Sequence, residues 1–134
     1  MYFNSPYIYY LETTDFDPST FRLLPNSNPL SGDEVFTGTT ILMIQGNFCG
    51  YCTQFKPIFA SLASELSPSI DFATIQTDGK EPNEQFNPNF VNQIIRSEMR
   101  GVPTIVKLVQ GQAVSIYEGP ITHEALRQWI LSRS

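Results

Sequence analysis

The sequence predicts an α/β fold in which helices flank both faces of a central mixed sheet of four to five strands. Three observations carry that prediction. The apolar run Thr39–Ile44 has no polar alternation, as expected of a strand covered on both faces. Phe55, Ile58, Phe59, Leu62 and Leu66 follow at spacings of three, four and seven, which place one apolar stripe along a helix. Thr104–Val109, the turn pair Gln110-Gly111 and Ala113–Tyr117 then read as a hairpin. A hairpin sets antiparallel edge strands beside parallel ones, so the sheet is mixed.

Along the chain, Tyr7–Leu11 is aromatic and branched and is expected to form a strand. A short helix is expected over Asp15–Phe21, with Pro18 limiting where it begins. Residues 22–39 are punctuated by Pro25, Asn26, Asn28, Pro29, Gly32 and Gly38 and read as a long connection. A helical turn near Asp33–Phe36 would make it more ordinary, and Leu30, Val35 and Phe36 are expected to pin it to the body. Gly46-Asn47 ends the apolar strand, and a helix starts at Cys49. Pro57 lies inside that helix, where its missing amide and its ring predict a kink. Asp71–Thr77 alternates Phe72, Thr74 and Gln76 against Ala73, Ile75 and Thr77, as a second strand would. Asp78–Pro88 is polar and turn-rich, and Asn89 is the expected cap of a helix carrying Phe90, Val91, Ile94, Ile95 and Met99. Gly119-Pro120 stops the last strand, and Thr122 caps a terminal helix with Leu126, Trp129 and Ile130 on one side.

A length of 134 residues suits one domain, expected to run over 1–134, and 41% apolar residues provide a core without a metal or disulfide framework. Eight Lys and Arg against thirteen Asp and Glu give a net charge of −5, which repels a polyphosphate backbone and argues against nucleic acid as a partner. No apolar run is long enough for a membrane span. The start, Met1–Pro6, has neither the basic region nor the apolar core of a signal peptide, so a cytoplasmic location is expected.

Cys49 and Cys52 are too close to staple a fold, and with His123 far along the chain they leave a zinc site short of ligands. No metal or cofactor is expected. Small core cysteines, or two pairs sharing a metal across a dimer, remain the bland alternatives. The strand before the pair and the helix after it favour chemistry. A thiolate at Cys49 would sit at the positive end of the helix and accept its backbone N–H groups, so Cys49 is the expected nucleophile. Cys52, one turn further in, is expected to resolve a mixed disulfide by attacking the Cys49 sulfur. Gly50 lets a substrate chain approach, and Tyr51 offers an apolar, hydrogen-bonding surface at the rim.

With Phe48-Cys49-Gly50-Tyr51-Cys52, Pro57, Asp78 after a strand, Arg100-Gly101-Val102-Pro103-Thr104 and Tyr117-Glu118-Gly119-Pro120, the chain resembles the thioredoxin family, including the thioredoxin-like domains of protein disulfide isomerases. The likeness runs from about residue 5 to the end. It implies a thioredoxin-like fold and a thiol–disulfide oxidoreductase that reduces, forms or isomerises disulfides. It also implies a cis bond at Val102–Pro103 facing the cysteines, a Val102 backbone that pairs with extended substrate, and Phe48 shielding one side of the thiol. The implied partners are cysteine-containing protein substrates and a redox-recycling protein, with a monomer favoured.

The sequence departs from the family pattern at several places. Phe48 stands where Trp is usual, Met43 where a buried carboxylate assists the resolving thiol, and Thr74 where a lysine is common. Met cannot exchange a proton near neutral pH, so attack by Cys52 is expected to be slow there and to quicken as pH rises. Gly50-Tyr51 replaces Gly-Pro between the cysteines, which is expected to make the pair more oxidising than thioredoxin. The stretch from Asp78 to Pro103 exceeds the family spacing by roughly ten residues, with 78–88 read as a surface insertion or a partner-binding lip. A thioredoxin-like binding or chaperone module with weakened redox activity is the alternative function. Glutathione-dependent chemistry is disfavoured by the scarcity of basic residues. Trp129 is expected in the core, His123 at a solvated helix start, and Gly119 at a tight passage.

Overall fold

In a computed structural model that describes residues 5–28, 31–47 and 49–132, the chain forms seven strands and three α-helices. The strands are β1 (Ile8–Tyr10), β2 (Asn26–Ser27), β3 (Glu34–Val35), β4 (Thr39–Gln45), β5 (Asp71–Gln76), β6 (Thr104–Val109) and β7 (Gln112–Ile116). The helices are α1 (Gly50–Leu66), α2 (Pro88–Ile95) and α3 (His123–Leu131). The main sheet has the order β1-β5-β4-β6-β7, while β2 and β3 pair separately. β5 runs parallel to both β1 and β4, whereas β6 is antiparallel to β4 and β7. The expected mixed five-stranded sheet is therefore present, with β4 at its centre. Its side chains from Thr40 to Gln45 are buried on both faces, which explains the unbroken apolar run.

Helices cover both faces as expected. Ile41, Met43, Phe72 and Ile105 pack under α1 and α3, against Phe55, Phe59, Leu62, Leu126 and Ile130. Leu42, Ile44, Ala73, Ile75, Val106 and Leu108 face the other way, against Val91, Ile94 and Ile95 of α2 and the segment that follows β1. Glu65 joins α1 to α3 by accepting from Arg127, with His123 Nε2 3.7 Å away. α1 continues through Pro57 as one element. Among the described residues, no helix is long and apolar enough to cross a membrane.

Four local expectations are corrected. No helix forms over Asp15–Phe21; a 3-10 turn covers Thr13–Asp15 instead. Asp17 Oδ1 takes the N–H groups of Ser19 (2.8 Å) and Thr20 (3.0 Å), so its side chain closes a turn that competes with helix. The segment Asp33–Phe36 holds strand β3 rather than a helical turn, because Gly32 at φ 77° reverses the chain and Asn28 N–H donates to Asp33 O, closing a β2–β3 ribbon that ends at Phe36 in left-handed backbone (φ 66°). Val35 and Phe36 do pin it, and Phe36 N–H donates to Asp71 Oδ2 at 2.8 Å, whereas Leu30 lies outside the described residues. α2 is capped by Asn87 rather than Asn89: Asn87 Oδ1 accepts from Phe90 N–H at 2.8 Å, and Pro88 occupies the first helical position. The last strand runs over Gln112–Ile116, one residue earlier than expected at each end. Thr122 caps α3 as expected.

The segment 78–88 is not a loose lip. A 3-10 turn spans Pro82–Glu84, and Phe86 is fully buried among the rings of Phe16 and Phe90 at 5.8 and 5.2 Å.

Candidate active site

The end of β4, the start of α1 and the start of β6 meet at one edge of the sheet. Cys49 is the N-cap of α1, with extended backbone (φ −104°, ψ 105°), and its Sγ accepts the N–H of Cys52 at 3.1 Å. The sulfur thus fills the capping role usually taken by an oxygen and stands at the positive helix end. Cys52 is fully buried and Cys49 half-buried, and the two are joined as a disulfide with a Cα–Cα separation of 5.2 Å. The geometry orders the pair as the spacing predicts, with an outer sulfur that can be reached and an inner one that cannot.

Gly50 is exposed, with open space for 4 Å around the point where a Cβ would stand, and Tyr51 is 63% exposed. Phe48 lies outside the described residues. The loop before Cys49 is clamped from across the sheet. Asp78 accepts Asn47 N–H on both carboxylate oxygens (3.0 and 3.1 Å), and Asn47 Nδ2 donates back to Asp78 O at 3.2 Å. Gly46 is closely confined, since a Cβ there would lie 3.1 Å from Thr77 Oγ1 and 3.5 Å from Val102 Cγ2.

That last approach brings in the second half of the site. The β4–β6 register pairs Ile44 with Thr104, so Val102 arrives beside Gly46. The Val102–Pro103 bond is cis, as the resemblance implies, and Ser67–Pro68 is a second cis bond that no sequence signal had flagged. Val102 and Cys49 both pack against the core on the α1 side of the sheet. Between Tyr51, Met99, Val102, Pro103, Tyr117 and Ile121 opens a groove of about 430 Å³. This volume lies within the range of about 300–1,000 Å³ typical of ligand pockets.

Two further residues support the groove, of which the sequence singles out only Tyr117. Asn92 Oδ1 accepts Met99 N–H at 2.8 Å and so holds the segment leading to Val102. Tyr117 donates its hydroxyl to Pro120 O and packs edge-on to Phe55 at 6.2 Å, while burial raises its pKa. Gly119 is confined as expected, because a Cβ would fall 2.6 Å from the Tyr117 hydroxyl.

Beneath the dithiol, Met43 is fully buried beside its strand partner Thr74. Thr74 Oγ1 donates to Met43 O at 2.8 Å and accepts from Gln45 Nε2 at 2.8 Å. Gln45 Oε1 is buried with no hydrogen-bond partner among the described residues. A neutral amide–hydroxyl pair therefore stands on the sheet face that carries Met43, and among the described residues no carboxylate is buried there. Trp129 is half-buried with Nε1 donating to Ser115 Oγ at 3.2 Å, in keeping with a core role.

A family model described as Thioredoxin matches residues 37–132. Over 124 residues the chain is 32% identical to a thioredoxin-like protein, 453L, of Invertebrate iridescent virus 6, covering 84% of this chain and 83% of that one. A protein disulfide-isomerase of Schizosaccharomyces pombe, so named by similarity, is 26% identical over 80% of this chain but only 20% of its own length. Among solved structures, the J-Trx1 fragment of ERdj5 superimposes with a TM-score of 0.63 at 15% identity, covering 96% of this chain and 52% of that one.

Proposed function

The chain belongs to the thioredoxin family, and on that premise we propose that it is a protein thiol–disulfide oxidoreductase working through Cys49 and Cys52. The observation that carries this reading is the bonded pair itself, with the outer sulfur capping α1, the inner one buried, and a groove alongside. In the reducing direction, the Cys49 thiolate attacks one sulfur of a substrate disulfide. The substrate S–S bond breaks, a Cys49–substrate disulfide forms, and the departing sulfur takes up a proton. Cys52 then loses its proton and attacks Cys49 Sγ, which restores the Cys49–Cys52 bond and releases the second substrate sulfur as a thiol. Two electrons and two protons pass from the dithiol to the substrate. In reverse, the oxidised pair accepts them from a substrate dithiol, and a disulfide protein then reoxidises the pair; in the reducing direction a dithiol protein re-reduces it.

Gly50, Tyr51, Val102 and Pro103 are proposed to form the substrate groove with Phe48, the Val102 backbone pairing with an extended peptide and Tyr51 covering it. Substrates are cysteine-containing proteins. Replacing Cys52 by Ser tests the scheme: mixed disulfides with client proteins should accumulate through Cys49, and should be absent from Cys49→Ser. If Cys52→Ser traps nothing and the wild-type dithiol fails to reduce a protein disulfide, the binding-module reading replaces this one.

The burial of Met43 in place of an acid supports a slow second step. Its rate at neutral pH should be low and should rise with pH as Cys52 deprotonates without a nearby base. Met43→Asp should raise that rate at least about tenfold at pH 7, since a buried carboxyl has a raised pKa and can take the proton. A resolution rate that stays flat from about pH 6 to 9 in the wild type would remove the role assigned to Met43.

A further inference from the structure

A second cavity, of about 270 Å³, lies between the turn after Asp17, the end of α2 and the β6–β7 turn, and shares no lining residue with the groove beside the cysteines. We propose that it is a binding site for a phosphomonoester, held between Arg22 and Arg96.

Charge gives the first argument. Two of the eight Lys and Arg residues line this cavity and none of the thirteen Asp and Glu does, in a chain of net charge −5. The nearest acids in sequence lie elsewhere: Glu98 lines the groove beside the cysteines, and Asp17 Oδ1 accepts the N–H groups of Ser19 and Thr20. Neither arginine has an ion-pair partner among the described residues.

Hydrogen bonding gives the second. Three backbone carbonyl groups near the cavity are already used: Gln110 O accepts from Arg22 Nε (2.7 Å), Gly111 O from Leu23 N–H (3.0 Å), and Asn92 O from the N–H groups of Arg96 and Ser97. The donors left over are the terminal N–H groups of Arg22, the guanidinium of Arg96, and the side-chain amides of Gln93 and Gln112. Two guanidinium groups with unengaged N–H donors in a cavity lined by no acid match an oxyanion.

The wall is also preformed. Arg22 is tied to the β6–β7 turn through Nε, and Gly111 (φ 82°) lies so close that a Cβ would fall 2.2 Å from Leu23 O. Phe21 and Arg96 both hold left-handed backbone, at φ 58° and 57°, and the Phe21 ring is packed edge-on to Phe90 at 5.1 Å. The backbone of the wall and the Arg22 side chain are thus held before a ligand arrives, and the Arg96 guanidinium is the part left to be ordered. A phosphomonoester carries about −1.5 to −2 charge at pH 7 and three oxygens, which can engage two planar guanidinium forks at once. A singly charged carboxylate would satisfy one. The volume admits the phosphate and a small organic group.

The test is a titration of the ¹⁵N-labelled oxidised protein, followed by amide shifts at fixed ionic strength, with inorganic phosphate, O-phosphoserine and acetate in turn. Saturable shifts are expected for residues 20–23, 93–96 and 110–113 with the two phosphate probes. Arg22→Gln and Arg96→Gln should each weaken that binding at least tenfold, and Arg96→Lys, which keeps the charge but loses the fork, should fall between. Tighter binding of O-phosphoserine would identify an organic or protein-borne ester, and equal binding a free phosphate; either supports the site. Non-saturating shifts, an equal response to acetate, or affinities untouched in both glutamine variants would overturn it. The outcome is independent of whether Cys49 and Cys52 are redox-active.

Discussion

Under α1 and α3 the sheet buries Gln45, Thr74, Gln76 and Lys107, whereas on its opposite face, among the described residues, the buried polar side chain is Thr40. The α2 face is built instead from rings and branched chains, with Phe16, Phe86 and Phe90 in mutual edge-to-face contact. The polar face is the one that carries the dithiol. Packing alone would have favoured apolar residues at those positions, since each buried polar group must find a partner. Two of the four are tied to each other, and Lys107 is tied to the end of α3, but Gln45 Oε1 is left without a partner among the described residues. Each face leaves one buried polar atom without a partner among the described residues, Gln45 Oε1 on one and Thr40 Oγ1 on the other. The faces thus differ in how many polar side chains they bury, and the larger number lies beside the chemistry.

The largest test of this contrast is Phe86→Ala. Losing a fully buried ring should reduce stability by about 3–5 kcal/mol in urea unfolding while leaving disulfide exchange at Cys49 near its wild-type rate. A collapse of exchange at an unaltered stability would instead make segment 78–88 part of the substrate surface.

Lys107 should matter less. It is 2% exposed, its Nζ donates to Trp129 O (2.7 Å) and Ser132 O (3.0 Å), and it lies 5.0 Å from the Trp129 ring centroid. Lys107→Met should destabilise by about 1–2 kcal/mol at neutral pH, through the lost cation–π contact and the freed Ser132 carbonyl. Burial lowers the Lys107 pKa below 10.5, so between its folded value and 10.5 the unfolded chain binds more protons. Wild-type stability relative to Lys107→Met should therefore rise across that window as pH increases. A difference that stays constant with pH would mean the ammonium is not penalised by burial.

Gln45→Leu should have the smallest effect, within about 1 kcal/mol, because the substitution removes the orphaned Oε1 together with its amide bond to Thr74. A loss of more than about 3 kcal/mol would show that the pair is a structural keystone rather than a tolerated polar insertion.

Much of the fold was legible because the signals were local. The run at Thr39–Ile44, the stripe from Phe55 to Leu66 and the turn at Gln110-Gly111 each report a period or a turn within a short window. The stretches that fold otherwise than expected, Asp15–Phe21 and Asp33–Phe36, are short. The first is turned by the Asp17 side chain, a local bond that periodicity does not report, and the chain on either side of it and the second are held by distant groups. Phe36 N–H is held by Asp71, thirty-five positions away, and Leu23 by Gly111. At the site, Cys49 and Cys52 were legible from spacing and context, and Val102–Pro103 from family resemblance. The Asn47–Asp78 clamp, the Asn92 brace and the Gln45–Thr74 pair were not, because a polar residue in sequence does not disclose which distant backbone group it will meet.

The sequence by itself determined the order of the main-sheet strands and the three α-helices, the central strand, the closely spaced cysteine pair at a helix start and the acidic balance of the chain. Those follow from periodicity, spacing and charge, which are properties of neighbours along the chain. Only the tertiary structure decided that Cys52 is sealed while Cys49 is reachable, that Val102 comes to rest against Gly46, and that Arg22 and Arg96 share an acid-free cavity. These depend on strand register and on the close approach of distant segments, where a single Cβ or one hydrogen bond decides the geometry.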